Sequence, residues 1–238
     1  WDMTPLQLNP DASAANTCDH ISASQIMSLD HFWRTLVYTN DDSAPMQRLK
    51  QAAEDLRDLD VYRSFLETWS APGGLTPFPY DWRMSLEDNA RQLDAYLACN
   101  QGTRVTLIAH GTGGLVARQY ISDPARAIRI EKIISVGTPY LGDTLTALDL
   151  RSGSTPVEDI NHLVDRDLMR AVYRNSPGII QSLPFEAAFQ LEPRGYWFAG
   201  RWLESWADTQ ANFTANGENE ALFEQARRAQ ARITGLGD

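Results

Sequence analysis

Residues 104–120, RVTLIAHGTGGLVARQY, pass from an apolar run through three glycines within four positions into a helical pattern. The run RVTLIAH has the composition of a short strand buried on both faces of a parallel sheet. A helix is predicted from about Gly113, and EKIISVG reads as the next strand. Upstream, LTPFPY reads as a short strand. Ser85 and Asp88 can form a capping box opening a helix whose apolar stripe is Leu86, Ala90, Leu93 and Leu97. Together these segments give βαβαβ over residues 74–150, which implies a parallel sheet with right-handed crossovers and an α/β fold class.

The glycine turn can be registered. A strand that turns sharply into a helix to present a serine, G-x-S-x-G, needs small residues two before and two after the apex. Centred on Gly111, the flanks are Ala109 and Gly113; centred on Thr112, one flank would be the bulky His110. Gly111 therefore takes the apex, where an α/β-hydrolase would carry its nucleophile, and Thr112 follows it. A phosphate-cradling P-loop would need a Lys-Ser/Thr pair that HGTGGLVAR lacks. A dinucleotide fingerprint would need a small residue where Val116 stands and an acid ending the next strand, which Glu131 instead begins. A tight turn without chemistry is the remaining reading.

The net charge of −10 argues against nucleic acid as a partner, because phosphate binding needs a basic face. It also disfavours simple attraction to an anionic membrane. No apolar run reaches the roughly 20 residues that span a bilayer, and WDMTPLQLNP shows no signal peptide. Cys18 and Cys99 allow one disulfide or two thiols, and no Cys/His cluster implies a metal. No organic cofactor is implied either. Asn212-Phe213-Thr214 is a formal glycosylation sequon of a kind that arises often by chance.

Three zones flank and include the turn. Residues 1–73 read as a helical, lid-like region, with Ile26, Leu29, Trp33 and Leu36 at helical spacing and a charged helix through MQRLKQAAEDLRDL. Residues 74–150 are the core. Residues 151–238 read as a helical cap built from EDINHLVDRDLMRAVY, GRWLESWAD and NEALFEQARRAQARI, the last with the stripe Leu222, Ala226, Ala229 and Ile233. No strand is expected after residue 137, so the sheet should be incomplete within this chain. Trp202 and Trp206 would share one helix face, as core or as a lid that meets lipid.

FPYDWR, then LIAHGTGGLVAR, then VGTPYLG occur in an order and spacing that resemble the lecithin:cholesterol acyltransferase-like branch of the lipases, with NSPGIIQSLP similar to its helical cap. The resemblance covers most of the chain. It implies an α/β-hydrolase fold and a serine esterase or acyltransferase acting on lipid acyl esters. It also implies departures. The family's serine falls on Gly111. Trp1 corresponds to a point after the family's oxyanion loop, and ITGLGD to a point before its acid and histidine, as though the remainder of a longer hydrolase chain supplied both. His162 has Glu158 and Asp159 near it on one helix, an arrangement that suits a surface histidine better than a triad. The same holds for His20 and His31, and His110 is expected to pack beside the apex.

Glycine relieves the strain of a positive φ at the apex but has no side-chain oxygen with which to attack an ester. The Thr112 N–H, at the start of the following helix, could still serve as half of an oxyanion site. Asp81, Trp82 and Arg83 could line a headgroup site; equally, Asp81 could pair with Arg83 or cap the next helix. The chain is thus expected to be inactive as written, or a pseudo-hydrolase that binds lipid or a protein partner.

Overall fold

A computed structural model describes residues 68, 75, 77–98, 104–154 and 166–235 of the 238. His20, His31, Trp33, Cys18, Cys99, Glu158, Asp159 and His162 lie outside the described residues, as do the helices expected before residue 68. The chain divides into two compact units, Trp1–Tyr80 with Ala95–Asn100, and Asp81–Asp94 with Gln101–Asp238. Helix α1, Leu86–Ala98, starts in the second unit and ends in the first. Within the first unit the Tyr96 ring lies 5.3 Å from that of Phe78, and its hydroxyl donates to the Pro77 carbonyl at 3.4 Å.

The described residues of LTPFPY are not a strand. Pro77 and Pro79 have no N–H to give to a ladder, which removes two of the donors that a strand there would need. The helix signal beside it is realised. The Ser85 hydroxyl accepts from the Asp88 N–H at 3.0 Å and donates to its carboxylate at 2.5 Å, and Leu86, Ala90, Leu93 and Leu97 are buried.

Strand β1, Val105–His110, leads into α2, Gly113–Ile121, then the short α3, Pro124–Ala127, and β2, Ile130–Val136. β1 and β2 are parallel, with Ile108 opposite Ile134 and His110 opposite Val136. This is the crossover expected from the sequence. Helix α2 buries Leu115, Val116, Ala117 and Tyr120. The opposite face differs from expectation: Ile108 is 46% exposed, Ile134 43% and Val136 51%. The single crossover helix covers one face, and no described element covers the other.

Beyond β2 come α4, Thr144–Ser152, then α5, Arg166–Arg174, α6, Pro177–Gln181, and α7, Glu186–Leu191. A hairpin of β3, Tyr196–Phe198, and β4, Arg201–Leu203, precedes α8, Trp206–Thr214, and α9, Glu220–Thr234. The hairpin overturns the expectation of no strand after residue 137. It also splits GRWLESWAD, expected as one helix. Ala199 and Gly200 turn the chain with positive φ, and Ser205 caps α8 by accepting from the Asp208 N–H at 3.0 Å. Trp202 therefore stands on an exposed strand beside Trp197, while Trp206 is buried on the helix. The α9 stripe follows the sequence reading at Ala226, Ala229 and Ile233, but Phe223 is the buried residue at its start and the expected Leu222 is only half-buried.

The core of the second unit is aromatic: Phe198 lies 5.2 Å from Phe213, and Trp206 5.7 Å from Phe223. A fully buried amide, Gln181, ties three helices together. Its Oε1 accepts the Leu86 N–H at 2.6 Å, its Nε2 donates to Glu87 at 3.0 Å, and its carbonyl accepts from Gln230 Nε2 at 3.1 Å. Replacing it with an apolar isostere strands a buried donor. Gln181→Leu should cost about 2–3 kcal/mol, read from the midpoint of urea unfolding; an unchanged midpoint would show the amide to be dispensable.

Candidate functional site: the turn between β1 and α2

The turn is built from its hydrogen bonds. The Gly111 N–H donates to the Val136 carbonyl at 3.0 Å, which docks the end of β1 on β2. The Gly114 N–H then donates to Gly111 and that of Leu115 to Thr112, starting the helix at once. Gly111 sits at φ +53, in the left-handed region, and a Cβ added there would meet nothing within 4 Å. The position is strained for a side chain but open. Thr112 is the N-cap residue of α2, and its side chain makes no capping bond. Among the described residues, no acceptor binds the N–H groups of Thr112 or Gly113. They lie at the positive end of the helix.

The next glycine has a different task. A Cβ on Gly114 would overlap the side chain of Thr138, in the loop after β2. Helix α2 can approach that loop only because residue 114 has no side chain. The Thr138 Oγ1 is buried there without a hydrogen-bond partner. Further along the same loop, the Asp143 N–H donates to the Ser182 carbonyl at 2.8 Å, and the Tyr140 hydroxyl meets that of Ser135 on β2 at 2.6 Å. This clamping was not read from the sequence. The doubled glycine at 113–114 was its only local signal.

His110, expected to pack beside the apex, is instead exposed at the end of β1, on the sheet face that carries Ile108 and that no described element covers. Asp81 and Arg83 are bonded to one another in the loop before α1. The Arg83 Nε donates to Asp81 at 2.9 and 3.1 Å and its terminal nitrogen at 2.5 Å, while the Asp81 carbonyl accepts from Asn89 at 2.9 Å. Burial pushes the Asp81 carboxyl up, but the Arg83 hydrogen bonds and charge outweigh it and hold the group below its ordinary value. Trp82 is 40% exposed and meets Tyr173 edge-on at 5.7 Å. Gly178 fits beneath this loop, where a Cβ would collide with the Trp82 carbonyl, and its N–H donates to the Arg83 carbonyl at 3.2 Å. Among the described residues, the hydrogen bonds of Asp81, Trp82 and Arg83 run to one another, Met84, Asn89 and Gly178 rather than to Gly111–Gly114. Among the described residues no group of three or more His, Cys, Asp or Glu side chains could hold a metal, and no helix is long and apolar enough to cross a membrane.

The profile described as Lecithin:cholesterol acyltransferase matches residues 67–197, which contain the turn, the Asp81–Arg83 loop and the Gly178 contact. The chain belongs to the lecithin:cholesterol acyltransferase family. Its α/β fold, with a parallel β1–β2 pair around the glycine turn, is of the α/β-hydrolase type. No curated protein matches the chain. Among solved structures, a chain of the Tle4–Tli4 complex is similar at 14% identity and a TM-score of 0.48, over 66% of this chain. This chain spans 41% of that one.

Two outcomes follow for this family member. Gly111→Ser should cost only about 1–2 kcal/mol, the price of a left-handed φ without a clash, whereas Gly114→Ala should cost at least as much despite its better helix propensity, because Thr138 must move. Equal and negligible losses in urea unfolding would contradict both geometries. Asp81 titrates lower when folded, so its contribution is whole above the ordinary value of 3.8 and fades as pH falls through the folded value. Asp81→Asn should therefore cost roughly 2 kcal/mol at neutral pH and progressively less in acid; a difference that stays flat on acidification would refute this.

Proposed function

We infer that the chain is a lipid acyl-ester hydrolase or O-acyltransferase scaffold in which Gly111 stands at the nucleophile position, so that it holds an acyl-ester or lipid ligand without cleaving it. The observation that carries this reading is Gly111 itself: the apex of a strand–turn–helix, at φ +53, flanked by Ala109 and Gly113, with open space where a serine side chain would stand. Without a side-chain oxygen there is no group to form the acyl intermediate, and loss of a triad member lowers rates by several orders of magnitude.

What the turn retains is electrostatic. The Thr112 and Gly113 N–H groups, at the start of a nine-residue helix, suit an oxygen bearing negative charge: an ester carbonyl, a carboxylate or a phosphate. His110 is the chain neighbour of this site on the exposed sheet face, and Asp81, Trp82 and Arg83 are a candidate contact for a headgroup.

With p-nitrophenyl butyrate, the chain should release nitrophenol no faster than buffer, because Gly111 offers no side-chain oxygen to attack the ester. Saturable turnover by the unaltered chain would overturn the inactive reading. A fluorescent fatty-acid analogue should bind saturably and be displaced by its methyl ester; absence of saturable binding would overturn the ligand-holding reading.

A further inference from the structure

The end of α2 opposite the turn forms one wall of an open cleft of about 330 Å³, lined chiefly by Arg91, Gln119, Arg126 and Arg232 with Glu87 and Asp123. An adjoining cleft of about 310 Å³ shares Glu87, Arg91 and Arg232 and adds Arg228. The walls come from α1, α2 with α3, and α9. They are tied together where Arg118 donates to the Ile233 carbonyl at 2.8 Å. The nine residues of α2 make a helix of about 13 Å, which separates the cleft from Gly111.

The charges in this cleft do not cancel. Arg91, Arg126, Arg228 and Arg232 face Glu87, Asp88 and Asp123 across the two clefts, so one positive charge is left over, and each acid already has a hydrogen-bond donor within the chain. Glu87 accepts from Gln181 at 3.0 Å, Asp88 from Ser85 and Arg91, and Asp123 from the Ala125 N–H at 2.9 Å. Arg126 lies 3.6 Å from Asp123 and 3.8 Å from Asp94. Arg228 and Arg232, one helical turn apart on α9, make no ion pair or hydrogen bond among the described residues. In a chain of net charge −10, that leaves a local excess of guanidinium. A second, independent feature lies in the same wall. Gln119 is 5% exposed, and its Oε1 is buried without a partner. A buried acceptor left unsatisfied calls for a donor from outside the chain.

Guanidiniums call for an oxyanion with several oxygens, and an orphaned amide oxygen calls for a hydroxyl. We propose that this cleft binds a phosphate monoester of a polyol, with Arg228 and Arg232 on the phosphate and Gln119 Oε1 accepting from a hydroxyl of the alcohol part. The group could arrive as a soluble ester or as the headgroup of a phosphomonoester lipid. This site does not depend on the reading of the turn.

The test is isothermal titration of the intact chain with glycerol 3-phosphate, beside inorganic phosphate, and co-sedimentation with phosphatidylcholine vesicles with and without phosphatidic acid. Saturable binding of glycerol 3-phosphate is expected, tighter than that of inorganic phosphate. Arg232→Gln should weaken it roughly tenfold, the loss of one charge-assisted contact. Arg232 is exposed, so this variant should keep the far-UV circular dichroism of the parent. Gln119→Met should remove the preference over inorganic phosphate. Vesicle binding that requires phosphatidic acid, and that glycerol 3-phosphate displaces, would assign the site to the lipid headgroup; binding of the soluble ester alone would assign it to the free form. No saturable binding in either arm, or binding unchanged in Arg232→Gln and Arg228→Gln, would overturn the proposal.

Discussion

The second unit is organised around a buried amide. Gln181 lies at the end of α6 with no solvent around it; its side-chain amide bonds Leu86 and Glu87 at the start of α1, and its carbonyl bonds Gln230 on α9. By accepting the Leu86 N–H it takes one of the donors that the first turn of α1 cannot satisfy internally. By offering its carbonyl to Gln230 it fixes α9, and Gln230 reaches the Leu183 carbonyl as well. Apolar packing is tolerant of small sliding, whereas buried hydrogen bonds are directional and expensive to leave unmade. The register of α1, α6 and α9 is therefore set by amides, and the aromatic cluster around Phe213 and Phe223 fills the space they define.

The same arrangement explains why motifs far apart in sequence behave as one block. Gly178 admits the backbone of Trp82, and Gly114 admits the side chain of Thr138. In each case a missing Cβ lets two segments approach more closely than any other residue would allow. The strand–turn–helix is consequently held from outside as well as within: β2 receives the Gly111 N–H, and the loop after β2 rests on α2 and is bonded onward to Ser182. A turn held this firmly keeps its backbone donors in place whether or not its apex carries a side chain. Preorganisation of the N–H groups is a property of the scaffold and does not depend on a side chain at residue 111.

What the sequence disclosed follows from the range of the interactions involved. Local signals were legible: the apolar β1 and β2 runs, the Ser85 cap, and the stripes of α1 and α9 depend on neighbours within a few residues. The tight turn at Gly111 was legible because such a turn restricts its own flanks. The misreadings came from short elements and distant contacts. LTPFPY has strand-like composition but two prolines without donors. GRWLESWAD has helical spacing, yet the Ala199–Gly200 turn and the Ser205 cap cut it in two. Double burial of β1 was inferred from composition alone, which cannot say whether a second layer is present. The Gln181 and Thr138 contacts join residues that no periodicity relates.

Placing a basic cleft and an empty-apex turn at opposite ends of α2 has a physical consequence. The macrodipole of α2 presents its positive end to the turn and its negative end to the cleft. At the turn, backbone amides alone can favour an anionic oxygen, so no charged side chain is needed there. At the cleft the helix end works against an anion, and an oxyanion site is possible only if guanidiniums overcome that field. Four arginines line the two adjoining clefts, two of them without acid partners among the described residues, in a chain that is otherwise strongly acidic. Since Arg232 also lies in the last turn of α9, part of its charge already offsets the negative end of its own helix. The uncompensated remainder, set beside the unsatisfied Gln119 oxygen, makes the cleft selective for a ligand that brings both negative charge and a hydrogen-bond donor.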